Sequence, residues 1–216
     1  MMLLSGLLAL TGCELSKYEE KMYEATKGVK QAEEENKHLD NPVVLPQGTA
    51  KIGEYELADS DDFFFRPPKG IKSNAEPPPD GILFVYPSAS GDFEKMYLCA
   101  VKTDKSAKFQ TDFLQSLKMA GVKFTDVKYG KVEVKYYHSE GKKNPYLYLY
   151  ETSSFMVGIA LFPGETSGSD SGGNIDKTLE YSLASLAIGP QGYERRRKWK
   201  SPGRSESKEK KSKSRE

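Results

Sequence analysis

Tyr146-Leu-Tyr-Leu-Tyr-Glu-Thr-Ser-Ser-Phe-Met-Val-Gly-Ile-Ala-Leu-Phe162 decides the architecture of this chain. Tyr146, Tyr148 and Tyr150 alternate with Leu147 and Leu149, and Phe155, Val157, Ile159 and Leu161 repeat the period of two that marks an extended strand with two different faces. The two runs meet at the polar Glu151-Thr-Ser153, so together they read as a hairpin. Upstream, Val132, Val134 and Tyr136 alternate with Glu133, Lys135 and Tyr137, the signature of another half-buried strand. Earlier strand candidates are Ile52 to Leu57, Asp62 to Arg66, Ile82 to Tyr86 and Lys95 to Lys102.

Two helices interrupt or close this series. Over Ala107 to Ala120, Phe109, Phe113, Leu117 and Ala120 share a face opposite Gln110, Asp112 and Lys118, and Gly121 is placed to end the helix. Over Ile175 to Ile188 the stripe is Ile175, Leu179, Ser182, Leu183 and Leu186, with Asn174 as N-cap and Gly189-Pro190 as the stop. Strands joined by short turns with few helices define an α+β class: an antiparallel sheet of about six to seven strands packed against two helices.

The flanks differ in composition. Glu14 to Asp40 is rich in Glu and Lys, with Leu15, Tyr18, Met22, Ala25, Val29 and Ala32 spaced three or four apart, a helix pattern. That stripe is narrow and Gly28 interrupts it, so the segment reads as a single solvated tether helix rather than a stable coiled coil. Asn41-Pro42 and Leu45-Pro46 end it, because a residue before proline is driven out of the α region. At the other end, residues 194 to 216 hold eleven Lys or Arg against four Glu, a local charge of +7 in a chain whose total is +1. With almost no apolar content this tail is expected to be disordered. Its cluster Arg195, Arg196, Arg197, Lys198, Trp199 and Lys200 would contact an anionic lipid surface, at about 1 kcal/mol per basic residue near the membrane. Trp199 suits an interfacial position.

The first thirteen residues carry an address. Leu10-Thr11-Gly12-Cys13, after an apolar run of Leu3, Leu4, Leu7, Leu8, Ala9 and Leu10, resembles the lipobox of bacterial lipoproteins. The resemblance implies cleavage before Cys13, a diacylglyceryl group on its thiol with acylation of the freed amine, and anchoring to a bacterial membrane on the periplasmic or surface side of the cell envelope. The run is too short to span a bilayer, and it lacks the basic n-region of secretory signals. A lipidated Cys13 leaves Cys99 with no intramolecular partner; in its apolar run Cys99 is a small buried hydrophobe rather than a nucleophile. The expected organisation is a signal segment at 1–12, a tether at 13–46, one globular domain at 47–190 and a basic tail at 191–216.

Two further resemblances concern the globular part. Tyr55-Glu-Leu57 through Phe63-Phe-Phe-Arg-Pro-Pro-Lys-Gly70, with Leu179-Glu-Tyr-Ser-Leu-Ala-Ser-Leu186 at the far end, resembles the opening strand and closing helix of PsbP-like domains. The order of helix 107–120, Val122-Lys-Phe-Thr-Asp-Val127, strand 131–137, hairpin 146–162 and helix 175–187 is similar to the helix-grip domains of BamC-type lipoproteins. Both imply antiparallel sheets with helices that serve in binding or assembly, and neither supplies a functional residue.

Catalytic signatures are missing. His38 and His138 have no second ligand at metal spacing, so no metal site and no cofactor are implied. Ser139-Glu-Gly-Lys142 fits a loose Ser-x-x-Lys pattern, but Gly141 and Asn144-Pro145 mark a strand-connecting turn rather than the helix start that chemistry needs. Asp170, Asn174 and Asp176 lie close enough for calcium, without the spacing of a calcium loop, so loop 164–174 reads as a flexible Gly/Ser linker. The remaining candidates are partner-binding residues. Arg66, Lys69 and Lys72 lie in a proline-stiffened loop that ends in the polyproline run at 77–79. Tyr146, Tyr148 and Tyr150 form a stripe able to face a carbohydrate or a peptide. These features point to a membrane-anchored, non-enzymatic binding or assembly module with an envelope protein as partner. The alternatives are an envelope hydrolase or ligand-binding enzyme with a dispersed site, and a nucleic-acid binder acting through the tail.

Overall fold

A computed structural model describes residues 11–46, 51–76, 81–89, 91–139, 144–164 and 172–199, with side chains described from residue 17 in the first segment and from 175 in the last. The signal segment before Thr11, the polyproline run, Lys142, Asp170 and the tail from Lys200 lie outside the described residues. The chain divides into two units, residues 1–38 and 39–216. The described residues of the first form one helix, α1 (Thr11–His38), and Cys13 sits in its first turn. No helix among the described residues is long and apolar enough to cross a membrane.

The second unit is built on an antiparallel sheet. Its strands are β1 (Lys51–Ile52), β2 (Tyr55–Leu57), β4 (Phe84–Pro87), β5 (Phe93–Lys102), β6 (Thr125–Tyr129), β7 (Val132–Tyr137), β8 (Tyr146–Glu151) and β9 (Phe155–Pro163). They run in the order β1-β2-β5-β9-β8-β7-β6, with β4 pairing the other half of the β5 edge that β2 uses. A second ladder joins β3 (Phe63–Phe64) to β10 (Ala187–Ile188). The helices are α2 (Ser106–Ser116), α3 (Gly172–Ala184) and α4 (Pro190–Lys198). The class is therefore α+β, and the hairpin read from 146–162 forms with Tyr146 opposite Leu161 and Glu151 opposite Met156.

Both faces of the β5–β9–β8 centre are covered. Cys99, Gly158 and Leu149 are register partners on one face, where the missing side chain of Gly158 makes room for the Phe113 ring of α2. Leu98, Ile159, Tyr148 and Tyr136 are register partners on the opposite face. There α3 lies over the β6–β7 end, with Ile175, Leu179 and Leu183 buried. Phe109, Phe113, Met96, Leu98 and Leu161 are fully enclosed. At about 1.5–3 kcal/mol for each large apolar side chain withdrawn from water, this interior dominates the stability of the domain.

Several boundaries differ from the sequence reading. Ile52 to Leu57 is two strands, because Gly53, at φ 58°, turns the chain back so that Ile52 pairs with Tyr55. Helix α2 ends at Ser116 rather than near Ala120. Lys118 adopts φ 55°, the Met119 amide donates to Leu114 O and the Lys118 amide to Gln115 O, so a lysine occupies the left-handed closing position where glycine is usual. Helix α3 starts at Gly172, so Asn174 is inside it, and it stops at Ala184 because Ala187 and Ile188 are drawn into the ladder with Phe64 and Phe63. Pro190 then starts α4 instead of stopping a helix, at the first-turn position where its missing amide costs nothing.

The domain boundaries shift for the same reason. Leu39, Val43 and Leu45 are buried, with the Val43 amide donating to Phe65 O and the Val44 amide to Ser73 O, so residues 39–46 belong to the core and not to a tether. Residues 191–198 form α4 rather than a disordered tail. The helix packs against the turn at Ser60–Asp62, β3 and β10 so closely that a Cβ on Gly192 would collide with Asp62 O and Ala187 O.

Candidate functional site

The loop after β3 separates the three basic residues that the sequence grouped together. Arg66 turns inward and is only 5% exposed, so it is not a docking residue. Its Nε donates to Asp40 O at 3.1 Å and its Nη2 to Leu39 O at 3.3 Å. Its guanidinium lies 4.5 Å from the centre of the Trp199 ring, and its backbone is pinned by Ser185 Oγ and Ser182 Oγ at 2.8 and 2.7 Å. A guanidinium can be buried at tolerable cost only when carbonyls and an aromatic face replace its hydration, and those are its surroundings here.

Lys69 and Lys72 remain exposed. They line an open cleft of about 340 Å³ together with Asp40, Asn41, Gly70, Ile71, Ser73 and Ala89. The walls are held by backbone bonds from separate segments: Lys72 N donates to Pro87 O at 2.9 Å, Ala89 N to Gly70 O at 2.8 Å, and Gly70 N to the Asp40 carboxylate at 2.6 Å. Ile71, 1% exposed, anchors the loop to the core between the two lysines. A second constraint is Gly91, at φ 104°, where any Cβ would lie 2.6 Å from Lys69 O. The result is a rigid, shallow recess with two ammonium groups, an amide and a hydroxyl beside one carboxylate already engaged by a backbone amide. Such a set can bind the carboxylates or carbonyls of a partner chain. Lys69 and Lys72 were legible from composition; Asp40, Asn41, Ser73 and Ala89 were not, because they reach the cleft from parts of the chain with no shared local pattern.

The tyrosine stripe divides likewise. Tyr148 is buried at 1% exposure beneath α3, stacked on Tyr136 at 5.2 Å and edge-on to Tyr129 at 6.3 Å, so it cannot face a partner. Its hydroxyl faces that of Tyr129 without a hydrogen bond of good geometry. Tyr146 is half-buried, its ring parallel to His138 at 4.0 Å and edge-on to Phe93, while Tyr150 is half-buried at the other end of β8. Burial, followed by the charge of Asp176 on α3, raises the pKa of the Tyr146 hydroxyl; burial and its tyrosine neighbours push that of Tyr136 up to about 12.

On the opposite face a second cleft of about 340 Å³ is bounded by Gly81, Ile82, Asp112, Gln115, Ser116 and Lys118. Beside it, Tyr55 Oη donates to Asp112 Oδ2 at 2.6 Å, Lys108 Nζ donates to the same atom at 2.8 Å, and Glu54 pairs with Lys108. Asp112 is held below the usual carboxylate range, first by Lys108 and then by Tyr55, whereas burial and Asp112 move Tyr55 upward. Acid and base are driven apart, away from neutrality, which suits a staple between α2 and the β1–β2 hairpin and not proton transfer near pH 7. Cys99 is fully enclosed and burial raises its thiol far above its ordinary value, so it is a core side chain.

The basic cluster at the C-terminal end is largely structural. Arg195 Nη1 donates to Ala184 O and Ser185 O at 3.0 and 2.8 Å, placing a cation on the C-terminal end of α3. Half-buried Arg196 donates from Nε to Phe63 O at 2.8 Å and from Nη2 to Val43 O at 2.7 Å. Trp199 lies edge-on to Phe64 at 5.9 Å and under Arg66. Arg195, Arg197 and Lys198 are exposed, the last two near Glu194, at 3.8 and 3.3 Å. The anionic-surface reading is therefore corrected for Arg196 and Trp199: helix formation after Pro190 turns these side chains onto carbonyls and rings, whereas Arg195 bonds to the end of α3 from an exposed position. Lys200 lies outside the described residues. Among the described residues no group of three or more acidic, histidine or cysteine side chains could hold a metal ion.

No protein-family model matches the chain, and no curated protein matches it. Among solved structures it is similar to a crystal structure from Bacteroides thetaiotaomicron VPI-5482, at 17% identity and TM-score 0.39, over 61% of this chain and 46% of that one. The chain thus spans less than half the length of that protein. It is also similar to the solution structure of cyanobacterial PsbP (CyanoP) from Synechocystis sp. PCC 6803, at 10% identity and TM-score 0.41, over 67% of this chain and 96% of that one.

Proposed function

We propose that this protein is a lipid-anchored, non-enzymatic binding module of the bacterial cell envelope, with Cys13 as the acylated residue. The observation that carries the reading is the order of parts: the Leu-Thr-Gly-Cys motif stands at the head of a 28-residue helix, and a folded α+β domain follows. At 1.5 Å per residue such a helix extends about 40 Å, a useful spacer between a bilayer and a domain. One acyl chain gives marginal membrane binding and several give stable anchoring, so the two chains of a thiol-linked diacylglyceryl group, joined by acylation of the freed amine, would hold the protein firmly at the membrane. The Lys69–Lys72 cleft is the surface offered to a protein partner, through acidic side chains or a free carboxylate.

Fractionation tests the anchor. Wild-type chain should partition into the detergent phase and incorporate a labelled fatty acid, whereas Cys13→Ala should do neither. Recovery of both in the soluble fraction would end the proposal. For the cleft, Lys69→Glu/Lys72→Glu should lose the partners cross-linked by the wild type in isolated membranes while keeping its melting temperature; an unchanged cross-linking pattern would remove the cleft from the reading.

A further inference from the structure

Helix α1 presents a face that no other described residue of its own unit covers. From Lys17 to Glu33 every residue is exposed, including Tyr18 at 64%, Met22 at 51% and Val29 at 57%. A helix with no buried face lacks the packing that normally supplies most of its stability. Tyr18, Met22, Ala25, Val29 and Ala32 follow one another at spacings of four, three, four and three, which is a seven-residue repeat with Met22 and Val29 at one core position and Tyr18, Ala25 and Ala32 at the other. A repeat of that period keeps one narrow seam on one side of the helix and suits a partner helix.

The residues beside the seam say which partner. The flanking positions hold Glu19, Thr26 and Glu33 on one side and Lys21, Gly28 and Glu35 on the other. In a parallel pair with a second copy, Lys21 would meet Thr26 and Gly28 would meet Glu33. In an antiparallel pair with Met22 on Ala25, Glu19 would meet Thr26 and Lys21 would meet Gly28; with Ala25 on Val29, Lys21 would meet Glu35 but Glu19 would meet Glu33. None of these arrangements creates a net attraction between the flanks. A parallel pair would also stack Ala25 on Ala25 and Ala32 on Ala32, leaving two layers of the seam thin. Both defects disappear if the opposing helix carries large aliphatic residues opposite the alanines and Lys or Arg opposite Glu19, Glu33 and Glu35.

We propose that α1 is a docking helix for a different protein, an amphipathic helix with bulky aliphatic seam residues and basic flanks. Hydrophobic seam contacts supply affinity, and the acidic rim selects the partner and rejects self-pairing. The cleft and the lipid anchor are not needed for this function, and their failure would leave it standing.

The test uses the purified full-length chain and two synthetic four-heptad peptides with the same Ile/Leu seam, one with Lys and one with Glu at all flanking positions. The Lys-flanked peptide should bind roughly tenfold or more tightly than the Glu-flanked one in fluorescence anisotropy, from three rim pairs of ordinary surface strength. That preference should shrink as salt is raised from about 0.05 to 0.5 M, because exposed pairs are screened. Met22→Ser/Val29→Ser should abolish binding and leave the melting of the folded domain unchanged. Equal affinities, no binding of either peptide, binding that survives the seam substitutions, or a stable homodimer in sedimentation at micromolar concentration would each overturn the proposal.

Discussion

Replacing Arg196 by methionine separates the two readings of the C-terminal basic cluster. In a solvated tail, Arg196 and its neighbour Arg197 would be interchangeable, and losing either would leave folding stability unchanged. In the structure they are opposites. Arg196 donates to Phe63 O and Val43 O at 2.8 and 2.7 Å from a half-buried position, whereas Arg197 is exposed and lies 3.8 Å from Glu194. Hydrogen bonds from a charged donor contribute about 1.5–3 kcal/mol each when enclosed. Arg196 is partly hydrated, so about 1–1.5 kcal/mol for each bond is appropriate, and methionine keeps the side-chain length while leaving two carbonyls without a donor. Arg196→Met should therefore cost about 2–3 kcal/mol. For a domain of roughly 150–250 residues that corresponds to a fall in melting temperature of about 4–12 °C. Arg197→Met should cost under about 0.5 kcal/mol. Urea denaturation followed by far-ultraviolet circular dichroism measures both, with an unchanged slope as the sign that the unfolded state is the same. Equal midpoints for the two variants would mean that α4 does not dock through Arg196 and would restore the solvated-tail reading of this segment.

Other consequences are equally direct. Gly158→Ala should destabilise by about 1–3 kcal/mol, because its Cβ would lie 2.4 Å from the Phe113 ring, and Phe113→Leu in the same chain should recover part of the loss in a double-mutant cycle. Lys118→Gly should raise stability by about 1 kcal/mol, since φ 55° strains a residue with a Cβ and suits glycine. Asp112 has a folded-state pKa below its unfolded value of about 3.9, so its stabilising contribution is complete above that pH and is lost as pH falls through the lower folded value. Asp112→Asn should flatten the decline in urea midpoint below about pH 4, and a decline identical to that of the wild type would show that other carboxylates set it. Cys99 should resist a thiol reagent at pH 8 in the native protein and react fully in denaturant.

The sequence by itself determined the elements whose signal is local. The hairpin from Tyr146 to Phe162, strand β7, the apolar faces of α2 and α3, and the helix at 11–38 all follow from periodicity, which depends only on which neighbours of a residue share its face. What only the tertiary structure decided were the elements made by distant partners. Residues 39–46 joined the core because Val43 and Val44 found carbonyls on Phe65 and Ser73. Ala187 and Ile188 left a helical pattern to pair with Phe64 and Phe63. The basic segment after Pro190 folded because Arg195 and Arg196 reached carbonyls at the end of α3, in β3 and at Val43, while Trp199 met Arg66 and Phe64. The candidate surface divided on the same principle. Composition singles out Arg66, Lys69 and Lys72 as basic and Tyr146, Tyr148 and Tyr150 as a stripe, but which of them meets solvent depends on what packs above them. A guanidinium or a tyrosine ring is amphipathic enough to serve on a surface or in a core, and long-range packing makes that choice.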